Sequence, residues 1–439
     1  MKISYKDNFF GYLKFYYSII GVRLIYFLFL SILISFMDGI GIAMFIPLLK
    51  FASQSETGES SDNTSLGKLE YLTDIITSFG IQLNIVNILI VLCSLFIFKG
   101  IFKFIQLSYF AKLREVFLKK VGNSLVKNIQ VLPYNAFLKL DAGKIQNTLT
   151  NEVARFFQTM QYYFNAVQAF AMLSTYILLA FLANYQFALL VCVGSVISNF
   201  IYRRIYKKTK TASIQLSKHG NLFNSYLIQS INYFKYLKST NTFEVYGNKL
   251  KSIINSSEKT NRNIGKLNAI ASSIKEPIII TIVSLVILIQ LKWMGTGLET
   301  IILSLLLFYR SLTYLIAIQG YWQNFIEYSG GMRSVSDLTE FMKNEQELQG
   351  SILLNNVNDN IQLKNVNFSY DSKTALENIS LKIPAKQSIA LIGESGSGKT
   401  TLANMIAGLF LPNSGEILID GISLKELNLN YYRNKIGYI

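Results

Sequence analysis

The sequence predicts two parts of different texture: a membrane-embedded bundle of six α-helices that continue as long cytoplasmic extensions, followed by a smaller α/β segment. Three observations carry this. The chain of 439 residues is 51% hydrophobic and only 15% charged, with a mean hydropathy of +0.33, too apolar for an ordinary soluble protein. Windows long enough to cross a bilayer recur between residues 24 and 325. From about Ile361 the pattern changes to short alternating runs of strand type.

The spans follow from window length. Phe156 to Tyr202 contains no charge and would make a helix about 70 Å long, roughly twice a bilayer core, so it crosses twice and turns at Asn184-Tyr185-Gln186. The same reasoning predicts spans near residues 24–49, 81–103, 160–183, 185–202, 275–291 and 300–325, the last two joined by Lys292 to Glu299. An even number of crossings puts both ends on one side. The first apolar run is long, begins after Arg23 and lacks a small-residue cleavage site, so it reads as the first span and not as a cleavable signal.

Charge fixes the side. Ala111 to Arg155 holds eight basic residues against Glu115, Asp141 and Glu152, and Arg203 to Ser273 holds thirteen against Glu244 and Glu258. Between Phe51 and Leu83 the balance reverses, with five acids and the single base Lys68. The excess of Lys and Arg places the two basic loops and both ends in the cytoplasm, in a cell inner membrane protein, and it accounts for most of the net charge of +16 without nucleic acid. Cys93 and Cys192 lie in apolar stretches and His219 is the only histidine, which excludes a disulfide framework and a Cys or His metal site.

In the second part, strands are expected at Ile361–Val366, Ile379–Ile383 and Ser388–Ile392. The third runs into Gly393-Glu394-Ser395-Gly396-Ser397-Gly398-Lys399-Thr400, with a helical segment from Thr401 to Leu409 behind it. This is GxxxxGK[ST] in its strand–loop–helix context. Gly393, Gly396 and Gly398 let the backbone curl so that amide groups face phosphates at the positive end of a helix, and Lys399 reaches the β and γ phosphates as a point charge. Thr400 supplies a hydroxyl to Mg²⁺. The ATP site is thus expected over Gly393 to Thr401. Tyr370, at the end of the first strand, is either an adenine-stacking aromatic or an ordinary core or surface ring.

Six spans, two long basic loops and a P-loop on one chain resemble an ATP-binding cassette (ABC) exporter half-transporter. Leu132-Pro133-Tyr134-Asn135-Ala136-Phe137, Gly143 and Leu149-Thr150-Asn151-Glu152-Val153 are similar to the family's first coupling-helix region, and Glu276-Pro277 resembles a pattern of lipid A exporters. In the cassette, Tyr370 falls at the family's adenine-stacking position. Ser414 to Gly421 and Tyr432 to Ile439 match its downstream segments. The resemblance implies a transmembrane domain over 1–341, a linker over 342–360 and the N-terminal part of a cassette over 361–439. The Q-loop glutamine, signature, Walker B aspartate, catalytic glutamate and switch histidine would lie beyond Ile439, so no catalytic residue is expected within the chain, and ATP hydrolysis is expected of a longer parent protein. Ser329-Gly330-Gly331 looks like part of a signature but precedes the P-loop and reads as linker.

Ser35 to Gly39, Ile46-Pro47 and Phe51 to Ser53 are similar to the first span of lipid-linked oligosaccharide flippases, which points to an amphipathic lipid or lipid-linked saccharide cargo moved by a homodimer. Peptide or drug export, a heterodimer, and a non-transporting nucleotide-binding sensor are the alternatives. Leu66, Leu69, Leu72, Ile75, Ile76 and Phe79 recur at helical spacing, either as a helix in the outer interface or as an extension of the flanking spans. Asp38 and Arg310 lie at membrane depth, each costing at least ~2.5 kcal/mol if unpaired. Two readings stand for them: a site for an anionic head group centred on Arg310, or structural pairing with each other or with polar neighbours.

Overall fold

The structure, a computed structural model, describes residues 7–44, 84–183, 185–289, 298–371 and 373–439. The expected interface helix from Leu66 to Phe79, Ile46-Pro47, the turn residue Asn184 and most of the Lys292 to Glu299 loop lie outside these. In chain order the helices are α1 (Phe9–Ile20), α2 (Arg23–Ala43), α3 (Ile85–Gln130), α4 (Tyr134–Leu138), α5 (Ala142–Asn147), a π-helical turn (Thr148–Glu152), α6 (Val153–Ala183), α7 (Tyr185–Asn232), α8 (Phe234–Ser239), α9 (Phe243–Ser273), α10 (Lys275–Ile289) and α11 (Leu298–Asn344). Then follow β1 (Asn360–Tyr370), β2 (Lys373–Pro384), α12 (Lys399–Ile406), β3 (Ser414–Ile419), β4 (Ile422–Ser423) and α13 (Leu429–Arg433). Packing divides the chain into Met1–Ser124 with Ala142–Leu338, and Leu125–Asp141 with Thr339–Ile439.

The first unit is helical. Among the described residues three helical stretches are long and apolar enough to cross a membrane: Arg23–Ala43, Ile85–Gln130 and Ala142–Phe181. α3, α7 and α11, at 46, 48 and 47 residues, are about 70 Å long, more than twice a bilayer core. Between Ser273 and Lys275 the helix breaks, where Pro277 denies the next turn a backbone donor.

α1 was not expected from the sequence. Asn8 caps it by accepting from the Gly11 amide at 2.6 Å, and Tyr12, Phe15, Tyr16 and Ile19 form its buried stripe at helical spacing. Tyr16 is fully buried; its hydroxyl pairs with Thr159 Oγ1 at 2.8 Å and its ring lies 5.3 Å from Tyr163. Tyr12 meets Phe325 edge-on at 4.7 Å, so α1 is fastened to α6 and α11 by rings and not by charge.

Ser329-Gly330-Gly331 is not a linker. It lies inside α11, with Ser329 only 6% exposed. A Cβ on Gly330 would run into the Ser213 backbone and one on Gly331 into Arg155 and Glu152, so these glycines permit backbone approach between helices. The π turn delivers Glu152 to the same place, 2% exposed, where it accepts from Arg155 Nη1 at 3.1 Å, Ser217 Oγ at 3.0 Å and Asn147 Nδ2 at 3.2 Å.

In the second unit the sheet has the order β2-β1-β3-β4, all antiparallel. Leu363 of β1 pairs with Leu381 of β2 and Ile417 of β3, and its face joins Val366, Phe368, Met405, Ile419 and Tyr432 in one core. Tyr134 of α4 packs on this core, 5.3 Å from Phe410, and the Glu347 amide donates to the Val131 carbonyl at 3.0 Å. The third expected strand, Ser388–Ile392, does not form. A strand is held by ladder partners, and among the described residues no backbone hydrogen bond joins it to a neighbour; Ile392 is 93% exposed.

Between β3 and β4, Asp420 and Gly421 take φ of 49° and 82°, the left-handed pair of a tight hairpin. The Asp420 carboxylate accepts from the amides of Asn358, Asp359 and Asn360 at 2.7, 2.9 and 2.9 Å, tying this turn to the start of β1. Its slight burial pushes the carboxyl up, but the three N–H donors outweigh that and hold it below its ordinary value. A lowered folded-state value means stability that is present above the unfolded carboxylate range and lost as pH falls through the lower folded value. Asp420→Asn should therefore lower the thermal midpoint at pH 7 by a few degrees and flatten its decline between about pH 5 and 3, read by scanning fluorimetry against Lys373→Ala as an exposed control.

Candidate functional site

The glycine-rich loop is built as the motif requires. Gly396 and Gly398 take φ of 89° and 90°, and α12 starts at Lys399. A Cβ on Gly398 would lie 2.7 Å from the Ala375 carbonyl oxygen and from Leu376, so a larger residue is excluded by contact as well as by conformation. No side chain caps α12, and its first-turn amides have no intrahelical acceptor, which leaves them to an anion at the positive end of the helix. Lys399 bends back over the loop: Nζ donates to the carbonyls of Gly393 at 2.8 Å and Glu394 at 2.7 Å, and to Ser397 Oγ at 3.4 Å.

Gly393 to Ser397 are exposed, as is Thr400. Thr401 is 8% exposed, and its hydroxyl lies 3.2 Å from the Tyr370 hydroxyl. The Tyr370 ring meets Phe368 edge-on at 4.9 Å and Phe410 at 5.4 Å while remaining 39% exposed. The ring is thus anchored on the core by two aromatic neighbours and remains partly exposed. The arrangement fits a nucleotide: donors for phosphates at one end, and an aromatic ring at the other. Among the described residues no group of three or more His, Cys, Asp or Glu is assembled, so a Mg²⁺ here would rest on the Thr400 hydroxyl, phosphates and water.

Asp38 and Arg310 are not brought together. Asp38, 3% exposed, is ion-paired with Lys99 of α3 and accepts at Oδ2 from the hydroxyls of Tyr176 at 2.7 Å and Tyr314 at 3.0 Å. The two tyrosine rings stack at 5.4 Å. One carboxylate therefore joins α2, α3, α6 and α11. Arg310 is exposed and stands near enough for its charge to act on the Tyr176 and Tyr314 hydroxyls.

Residues 24–314, about two thirds of the chain, match the family described as the ABC transporter transmembrane region, and residues 376–439 match the family described as ABC transporter. The chain belongs to the ABC transporter family. As such it is similar to the ATP-dependent lipid A-core flippase of Escherichia coli K12, 33% identical over 182 residues, which are 38% of this chain and 30% of that protein. The flippase of the same name from Photobacterium profundum is 37% identical over 116 residues, 26% of this chain and 20% of that protein. ABC transporter B family member 1 of Arabidopsis thaliana is 42% identical over 98 residues, 22% of this chain and 8% of that protein. The chain thus matches less than a third of the length of these curated relatives.

For this ABC transporter chain the sequence reading missed the true partners of Asp38. Lys99 and Lys103 stand four residues apart within the 81–103 window, and two cations in an apolar helix were signal enough to look for an acid. Tyr176 and Tyr314 carried no such signal, since a tyrosine in a span is most often a packing residue.

Two results are expected. Asp38→Asn strands the Lys99 charge and should cost about 2–3 kcal/mol of thermal stability in detergent, less than a fully buried pair because Lys99 is partly exposed, while Asp38→Asn with Lys99→Met should recover part of it. Tyr370→Ala should weaken ATP binding about tenfold, measured by displacement of a fluorescent analogue, whereas Tyr370→Phe keeps the stacking face and should stay near wild type.

Proposed function

We propose that this chain is the membrane and nucleotide-binding part of an ATP-driven exporter or flippase that moves an amphipathic lipid or lipid-linked saccharide by alternating access. The carrying observation is a phosphate loop with Lys399 at a helix N-terminus on the same chain as a transmembrane region of the family. The relatives named lipid A-core flippase support a lipid cargo. In this reading there are six spans, both ends are cytoplasmic, the membrane is the cell inner membrane, and the working unit is a homodimer. The domains run 1–341, 342–360 and 361–439.

Tyr370 stacks on the adenine, Gly393 to Gly398 with the first amides of α12 cradle the phosphates, Lys399 binds the β and γ phosphates, and Thr400 with Thr401 completes the Mg²⁺ and phosphate end. When bound, Mg²⁺ neutralises charge between the β and γ phosphates. Tyr134 on the cassette core gives the membrane helices a lever on the nucleotide domain, because α4 follows directly on α3 in sequence.

The test uses the product of the whole reading frame that encodes this chain, in vesicles. Mg²⁺-dependent ATP turnover should fall on the order of 10²-fold in Lys399→Ala and rise on addition of a lipid-linked saccharide. Turnover indifferent to Lys399 sinks the proposal, and stimulation by peptides or drugs alone moves the cargo to the alternative.

A further inference from the structure

A cavity of about 340 Å³ opens in the first unit, lined by Lys99, Lys103, Asn165, Gln168, Tyr314 and Tyr321, the rest of its wall being apolar. It has two amines and no carboxylate in its wall. Lys99 is neutralised from behind by Asp38. Lys103, one turn along α3, donates to Gln106 Oε1 at 3.1 Å, a neutral acceptor, and among the described residues no carboxylate lies within ion-pair distance of it. Gln106 is 1% exposed and its amide nitrogen is spent on Ser31 Oγ at 2.7 Å and, more weakly, on Gln168 Oε1 at 3.5 Å. The carboxamide is therefore oriented to present its oxygen to Lys103, and the ammonium is held in place without being neutralised.

A positioned, uncompensated cation in a membrane helix needs an anion or water. The depth decides which kind of anion. Lys103 lies one turn from Lys99, the partner of Asp38, and Gln106 just beyond it bonds Ser31, itself about 12 Å along α2 from Arg23, so the ammonium stands inside the hydrocarbon span, where an anion that brings its own apolar chain is favoured. Ile101 and Phe104, on neighbouring positions, are 50% and 71% exposed and suit hydrocarbon. A free anion has no use for such surroundings; a lipid headgroup does.

We propose that this cavity takes the phosphate or diphosphate headgroup of an amphipathic lipid, with Lys103 as its principal cation, Gln106 as the positioning residue and the amides of Asn165 and Gln168 as further donors. The proposal rests on the reading of the chain as a lipid-handling exporter and moves the headgroup away from Arg310, which does not line the cavity. A lysine suits it as a point charge that follows a phosphate without fixing its orientation.

The probe is farnesyl diphosphate, with farnesol and inorganic pyrophosphate alongside, titrated by native mass spectrometry into the full chain in phosphatidylcholine nanodiscs. Saturable binding of farnesyl diphosphate should weaken about tenfold in Lys103→Gln, return to within about threefold of wild type in Lys103→Arg, and stay unchanged in Arg310→Gln and in Lys119→Gln, a surface lysine paired with Glu115. Farnesol binding should be untouched by Lys103→Gln, which also shows that the variant is folded. No saturable binding to wild type, equal affinity in Lys103→Gln, loss in Arg310→Gln instead, or pyrophosphate binding as tightly as farnesyl diphosphate would each overturn it. Binding needs no nucleotide, so Lys399→Ala should bind as wild type, and failure of ATP turnover and failure of this site are read in separate assays.

Discussion

A carboxylate inside a membrane helix has no water to turn to, and the arrangement of the first unit around Asp38 follows from that constraint. Its two oxygens are divided between an ammonium on α3 and two phenols, one on α6 and one on α11. Four helices that hydrophobicity alone would leave free to rotate against one another are thereby given a rotational register, because apolar packing in lipid has no sidedness of its own. The same demand, met a turn further along α3 by a neutral glutamine instead of an acid, leaves Lys103 with charge to offer. The difference between a structural pair and a binding site is here the identity of one partner.

The second unit solves a different problem, the exposure of backbone polar groups to an anion. Its sheet and core place β2 beside the start of α12, and the contact of Gly398 with Ala375 fixes where the loop can turn. Tyr370 is held on the same core by Phe368 and Phe410, so the phosphate loop and this ring share one support.

How much of this could be read from residues alone depended on whether the signal was local. The P-loop helix and the three helices apolar enough to cross a membrane among the described residues were legible because motif spacing and window length act locally along the chain. The Ser388–Ile392 strand was mispredicted for the converse reason: its composition is that of a strand, but a strand exists only where another backbone meets it. Ser329-Gly330-Gly331 reads as a linker by composition, and only the approach of Ser213, Arg155 and Glu152 reveals why small residues stand inside a helix. Of the two ionisable residues singled out in the spans, Asp38 pairs with polar neighbours, one of the readings open for it, and Lys99 went unnamed because pairing across 61 residues of sequence leaves no periodic trace.

The posture of Lys399 has a consequence for discrimination. Its ammonium already accepts the company of two carbonyls and a hydroxyl of its own loop. An incoming ligand competes with these dipoles as well as with water, so charge weighs heavily in the threshold for entry. A group carrying full negative charge displaces neutral carbonyls; an uncharged sugar or alcohol of the same size has nothing to outbid them with. The loop thus works as a valence filter, sorting by charge before any fit of shape is tried.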